Sequence, residues 1–89
     1  MLAPETIVDI AAEVEAAGLS EQTLAALRTG HPGIHFTYCM DDDMGAQEPY
    51  ASRPAFNVYL VDGREHCLKF THETSHATGL VLAEVIADD

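Results

Sequence analysis

The sequence predicts an α+β domain: an N-terminal helical hairpin, a three-stranded antiparallel sheet and a C-terminal helix. Three observations carry this reading. Apolar residues recur at helical spacing up to Gly18, a second such run closes at Gly30, and three later stretches alternate apolar with polar side chains. In the first run Ile7, Ile10, Ala11, Val14 and Ala17 form a stripe from Pro4 to Ala17, with proline suited to the first turn and Gly18 just past the end. Ser20 then caps a helix from Glu21 to Thr29, with Leu24 and Leu27 inward and Gly30 and Pro32 ending it.

The strand segments are Ile34–Met40, Phe56–Val61 and Glu65–Thr71. Alternation puts Ile34, Phe36, Tyr38 and Met40 on one face of the first, and His35, Thr37 and Cys39 on the other. Phe56, Val58 and Leu60 are the core set of the second strand, and Leu68 and Phe70 that of the third. A three-residue loop, Asp62-Gly63-Arg64, pairs Val58 with Leu68 and Phe56 with Phe70, so that apolar faces apolar. The same register sets Tyr59 opposite Cys67 and Asn57 opposite Lys69, on the face away from the helices. That second face is left partly exposed, covered by the 41–55 loop, or covered by another subunit in a homo-oligomer. The last segment, Glu73 to Ala87, is apolar on nearly all sides. Its "LVLAEVIA" composition favours a helix over a fourth strand, with Gly79 as the objection.

Eighty-nine residues suffice for one domain, burying about 60–65% of the surface of the unfolded chain. Fifteen acidic residues against four basic ones give a net charge of −11, which repels phosphate backbones and anionic lipid. Nucleic acid and membrane surfaces are therefore not expected partners; a protein partner is. The helix-turn-helix look of "GLSEQTLAALR" does not change this, because Arg28 is the sole basic side chain there. Two cysteines are too few for a disulfide scaffold, and the N-terminal stretch carries acids where a signal peptide needs basic residues, so a cytoplasmic protein is expected.

Candidate chemistry falls in two places. His72-Glu73-Thr74-Ser75-His76 spells the H-E-x-x-H pattern, in which two imidazoles one helical turn apart bind zinc and the glutamate activates water. Here the motif starts one residue beyond a strand, and Glu84, about 12 Å farther along a helix axis, cannot supply a third ligand. A metalloprotease is not expected, and His72 and His76 are weak metal candidates. Cys39, Cys67 and His66 form the second set, with two thiols on one sheet face able to hold a soft metal if their strands neighbour each other. Asp41-Asp42-Asp43 opens like a calcium loop, but Gly45 stands where the ligand pattern should continue. No cofactor is predicted; a transition metal is the ligand that the residues leave open.

At "GIHFTYCMDDD", "FNVYLVDGREHCLKFT" and "ATGLVLAEV" the sequence resembles a small family of uncharacterised bacterial proteins encoded in nitrogen-fixation gene clusters. The likeness runs from about Gly18 to Val85. It implies an accessory protein of nitrogen fixation acting by protein interaction, with no assigned activity; a metal-binding or metal-carrier protein is the alternative. The positions it marks are Cys39, Asp41, Asp42, His66 and Cys67, to which the strand pattern adds Tyr59 as a member of the same face.

Overall fold

The computed structural model describes residues 2–64 and 68–86. Helix α1 spans Pro4–Ala17 and buries Ile7, Ile10, Ala11 and Val14. Gly18 ends it at φ +86°, a left-handed conformation that glycine adopts without steric cost, and its N–H bonds to the Val14 carbonyl. Helix α2 spans Glu21–Gly30, and its Ser20 cap accepts from the Thr23 N–H at 3.2 Å. The Thr23 hydroxyl donates to the Gly18 carbonyl at 2.6 Å, tying the second helix to the end of the first. Both helices therefore lie where helical spacing puts them.

Strand β1 is His35–Met40, followed by a 3-10 turn at Asp41–Met44 and a two-residue strand, β2, at Ala51–Ser52. Strand β3 is Phe56–Asp62, β4 is Lys69–Thr71 and β5 is Gly79–Glu84. They form one mixed sheet in the order β1-β5-β3-β2, and β4 shares the outer edge of β3 with β2. The β1–β5 pair is parallel and the other pairs are antiparallel. Both helices cover one face, packing on Phe36, Phe56, Val58, Leu60, Leu80 and Leu82.

This corrects the expected three-stranded antiparallel sheet and the expected C-terminal helix. The segment read as a helix is β5, and it runs through the middle of the sheet. A strand buried on both faces has no polar side to show, so its sequence reads as a continuous apolar run that periodicity cannot separate from a buried helix. Gly79 to Ala83 are all buried. Gly79 itself marks a close approach: a Cβ there would stand 2.7 Å from the His35 carbonyl oxygen and 2.9 Å from the His35 Cβ.

The register between β3 and the strand after it also differs from expectation. Asp62 pairs with Lys69, Val61 with Phe70 and Leu60 with Thr71. Phe70 thus lies five residues along β3 from its expected partner Phe56, and an odd shift turns every side chain to the opposite face. Phe70 and Leu68 consequently leave the helix-side core, and they are 43% and 67% exposed. The cause is visible on both sides of the pair. The helix-side slot beside β3 is filled by Leu80 and Leu82 of β5. At the turn, the Asp62 carboxylate accepts from the Arg64 backbone N–H at 3.1 Å and from its guanidinium at 2.9 Å, while the Gly63 N–H donates to the Thr78 hydroxyl. Those bonds fix residues 62–64 at the end of β3, where the expected three-residue loop would have had to turn directly into the next strand.

Replacing Gly79 by alanine should destabilise the fold by about 1–3 kcal/mol, because the added methyl meets backbone that must shift. Urea denaturation checks this, with an unchanged midpoint as the contrary result.

Candidate functional site on the open sheet face

The face away from the helices carries a smaller apolar cluster of Tyr59, Val61, Val81 and Ala83, with Cys39 and Met44 packed against it. Strand alternation puts these side chains there, as it was expected to put Cys39 and Tyr59. The chain leaving β1 turns back over them. Asp41, the first residue of the 3-10 turn, places one carboxylate oxygen 2.9 Å from both the Asn57 side-chain amide and the Tyr59 hydroxyl, and each donates to it. Met44, at the end of the same turn, receives the Cys39 thiol at 3.5 Å between sulfurs. The Phe70 ring meets Tyr59 edge-on with centroids 6.1 Å apart.

Electrostatics follow from this packing. Burial, and then the hydrogen bond to Asp41, pushes the Tyr59 phenol up to about 12. Burial also raises the Cys39 thiol, with the Asp43 and Asp41 carboxylates adding to the effect. The reactive form of a cysteine is the thiolate, so this environment holds Cys39 in its unreactive, protonated form. Across the helix side of the sheet, the Tyr38 hydroxyl donates to Glu84, and that bond raises its pKa.

The residues singled out from the sequence are thus divided. Cys39, Asp41 and Tyr59 come together on the open face, joined by Asn57 and Met44. Asp42 is exposed beside them. His66 and Cys67 lie outside the described residues, as does the expected pairing of Tyr59 with Cys67, while Lys69 faces Asp62 instead of Asn57. His72 and His76 are exposed; His72 precedes a turn at 74–76 between β4 and β5 and His76 is its last residue, and no helix starts there. The His72 ring nitrogen lies 3.0 Å from the Glu48 carbonyl, and the His76 N–H bonds to the Glu73 carbonyl. The helical face that would align two imidazoles four residues apart does not exist at this motif. Among the described residues, no three His, Cys, Asp or Glu side chains gather into a metal-holding group.

Sequence reasoning missed two participants. Asn57 was legible as a polar residue alternating onto the face of Tyr59, but nothing linked it to Asp41, sixteen positions earlier. Met44 gave no signal, because a methionine in a polar loop has no spacing rule attached to it. Beyond the cluster, a groove of about 410 Å³ runs between His35, Thr37, Val61, Leu68 and Thr78 on the same face.

The profile of a family of unknown function, DUF6129, matches residues 9–85. The chain belongs to this family. The matched stretch takes in most of α1 and every later element, including the Asp41 clasp and the central strand. No curated protein and no solved structure matches the chain. Among the described residues, no helix is long and apolar enough to cross a membrane.

Two outcomes are expected. Tyr59→Phe should cost about 1.5–3 kcal/mol, the usual worth of a hydrogen bond to a charged group, and should remove the highest-pH step from an ultraviolet titration of the tyrosines. The folded pKa lies above the ordinary phenol value of 10.0, so the Tyr59 contribution is intact below that pH and is lost as pH rises towards about 12. In a Cys67→Ser background, iodoacetamide at pH 8 should modify Cys39 more slowly in the folded protein than in urea; equal rates would contradict its protection.

Proposed function

We propose that this chain is a cytoplasmic accessory protein of nitrogen fixation that acts by binding a protein partner on the open face of its sheet. The observation that carries the binding role is a pair of exposed apolar side chains on that face: Leu68, 67% exposed, lines the groove, and Phe70, 43% exposed, pairs with Val61 of its lining. Exposed apolar side chains gathered beside a concave surface are a recurrent mark of protein contact. The charge of −11 selects the partner: apolar contacts framed by lysine and arginine suit it, and acidic surfaces do not. The tie to nitrogen fixation draws on the resemblance in the β1, β3–β4 and β5 phrases, and membership of DUF6129 is compatible with it.

Deleting the gene from a nitrogen-fixing host should slow growth on dinitrogen and leave growth on ammonium unchanged. A Leu68→Ser, Phe70→Ser double variant, folded by circular dichroism, should fail to restore the wild-type rate. Equal growth of the deletion strain on both nitrogen sources would remove the nitrogen-fixation reading, and full rescue by the double variant would remove the binding face.

A soft-metal carrier is the second reading, favoured by the two sulfur donors of Cys39 and Met44 at 3.5 Å. It requires a thiolate and at least one further ligand. Metal analysis of untagged protein purified anaerobically decides it: a stoichiometric metal lost in Cys39→Ser supports the carrier, and a metal-free folded protein removes it.

A further inference from the structure

The two sides of the sheet end differently. On one side the outer edge of β3 is covered by β2 and β4, strands of two and three residues. On the other side β1 pairs with β5 over all six of its residues and, among the described residues, with nothing beyond. Exposed edges are usually guarded by a proline, a lysine, a bulge or a very short strand. The β1 segment "HFTYCM" has none of these guards, and its pairing with β5 is continuous.

The backbone groups on that edge can be identified. The His35 N–H bonds to Thr78 at the head of β5, so His35, Thr37 and Cys39 direct their peptide groups inward. Phe36, Tyr38 and Met40 direct theirs outward. The Phe36 carbonyl accepts from the Arg28 guanidinium at 3.1 Å, which shows that this side of the strand points away from β5; Arg28 covers that one carbonyl, whose second lone pair is the one left for a pairing strand. Tyr38 stands at the middle of this outward row. Its ring is 42% exposed although it belongs to the helix side of the sheet, where the strand residues Phe36 and Phe56 are buried.

We infer that the β1 edge is an interface between two copies of this chain, paired antiparallel about a two-fold axis at Tyr38. That arrangement sets Tyr38 against the partner's Tyr38 and Phe36 against the partner's Met40, with outward donors meeting outward acceptors. Directly opposed residues of an antiparallel pair share a face, so the two helix layers lie on the same side and the exposed tyrosine rings cover each other. Charge is also self-complementary along the edge. Arg28 lies at the start of β1 and Asp42 and Asp43 just past its end, so a two-fold operation brings each end against its opposite. The net charge of −11 on each copy works against this over longer distances, where about 8 Å of screening at physiological salt limits it. The inference does not need the partner proposed for the open face: the groove there uses the side chains of His35 and Thr37, whereas the edge uses the outward peptide groups of Phe36, Tyr38 and Met40.

Light scattering against concentration at 0.15 M salt, together with amide hydrogen exchange of the untagged protein, tests the interface. The expected result is twice the 9.6 kDa chain mass at high micromolar concentration, with the outward Tyr38 amide exchanging slowly in the dimer and rapidly on dilution to monomer. Tyr38→Lys places two like charges opposite each other, and Tyr38→Pro deletes the outward N–H while leaving the backbone bonds between β1 and β5 in place. Both also remove the hydroxyl bond to Glu84, which Tyr38→Phe removes alone and which should leave the dimer intact. Tyr38→Lys and Tyr38→Pro, each with the circular dichroism of the wild type, should be monomeric. A wild-type chain that stays monomeric up to millimolar concentration overturns the inference. So does a dimer that survives both Tyr38→Lys and Tyr38→Pro, or one in which the Tyr38 amide exchanges as fast as in the monomer.

Discussion

The threading of β5 between β1 and β3 is the constraint on which the rest of the molecule depends. It supplies Leu80 and Leu82 to the helix-side core and Val81 and Ala83 to the opposite face, so both layers of packing are anchored on one strand. Its parallel contact with β1 requires the two backbones to approach at Gly79, where there is room for a hydrogen and not for a methyl group. Burial on both faces also dictates composition. An alternating sequence would place polar groups in one core or the other, each at a cost unless hydrogen-bonded.

The open face is organised by a different kind of contact. There, a single carboxylate replaces the helices as the organiser: Asp41 gathers Asn57 and Tyr59 and thereby folds the chain after β1 back over the sheet. An aspartate directly after a strand reads at first as part of an acidic ligand cluster, yet one oxygen of this carboxylate accepts two hydrogen bonds from the sheet. The clasp leaves the opposite end of the face uncovered, next to Phe70 and the groove. What distinguishes the two ends is therefore the reach of a four-residue turn.

The helices, the first two main strands and the grouping of Cys39 with Tyr59 were legible because each follows from a local rule: helical spacing, a capping serine, strand alternation. The last segment was not, because its identity depends on neighbours on both faces that belong to distant parts of the chain. The hairpin register failed for a related reason. Matching apolar residues across a short loop assumes that β3 has its helix-side neighbour in the next segment, but β5 takes that place and leaves Phe70 on the other side. The H-E-x-x-H spelling misleads in the opposite direction, since four matching letters carry no helix with them. Asp41 and Tyr59 were visible as candidates, while the bond that unites them was not, since the residues stand eighteen positions apart.

The order in which the strands arrive has a consequence during synthesis. The strand at the centre of the sheet is the last of the five to leave the ribosome, so β1 and β3 must wait, each with a hydrophobic flank and an open edge, until residues 79–84 emerge. Local contacts in the helical hairpin can form early, but the sheet cannot close around an absent middle, and pairings this distant in sequence form slowly. A nascent or truncated chain lacking those six residues is thus a sticky intermediate with two exposed strands. The many carboxylates spread along the chain act at that stage too, keeping neighbouring unfinished chains apart until the missing strand slides into place.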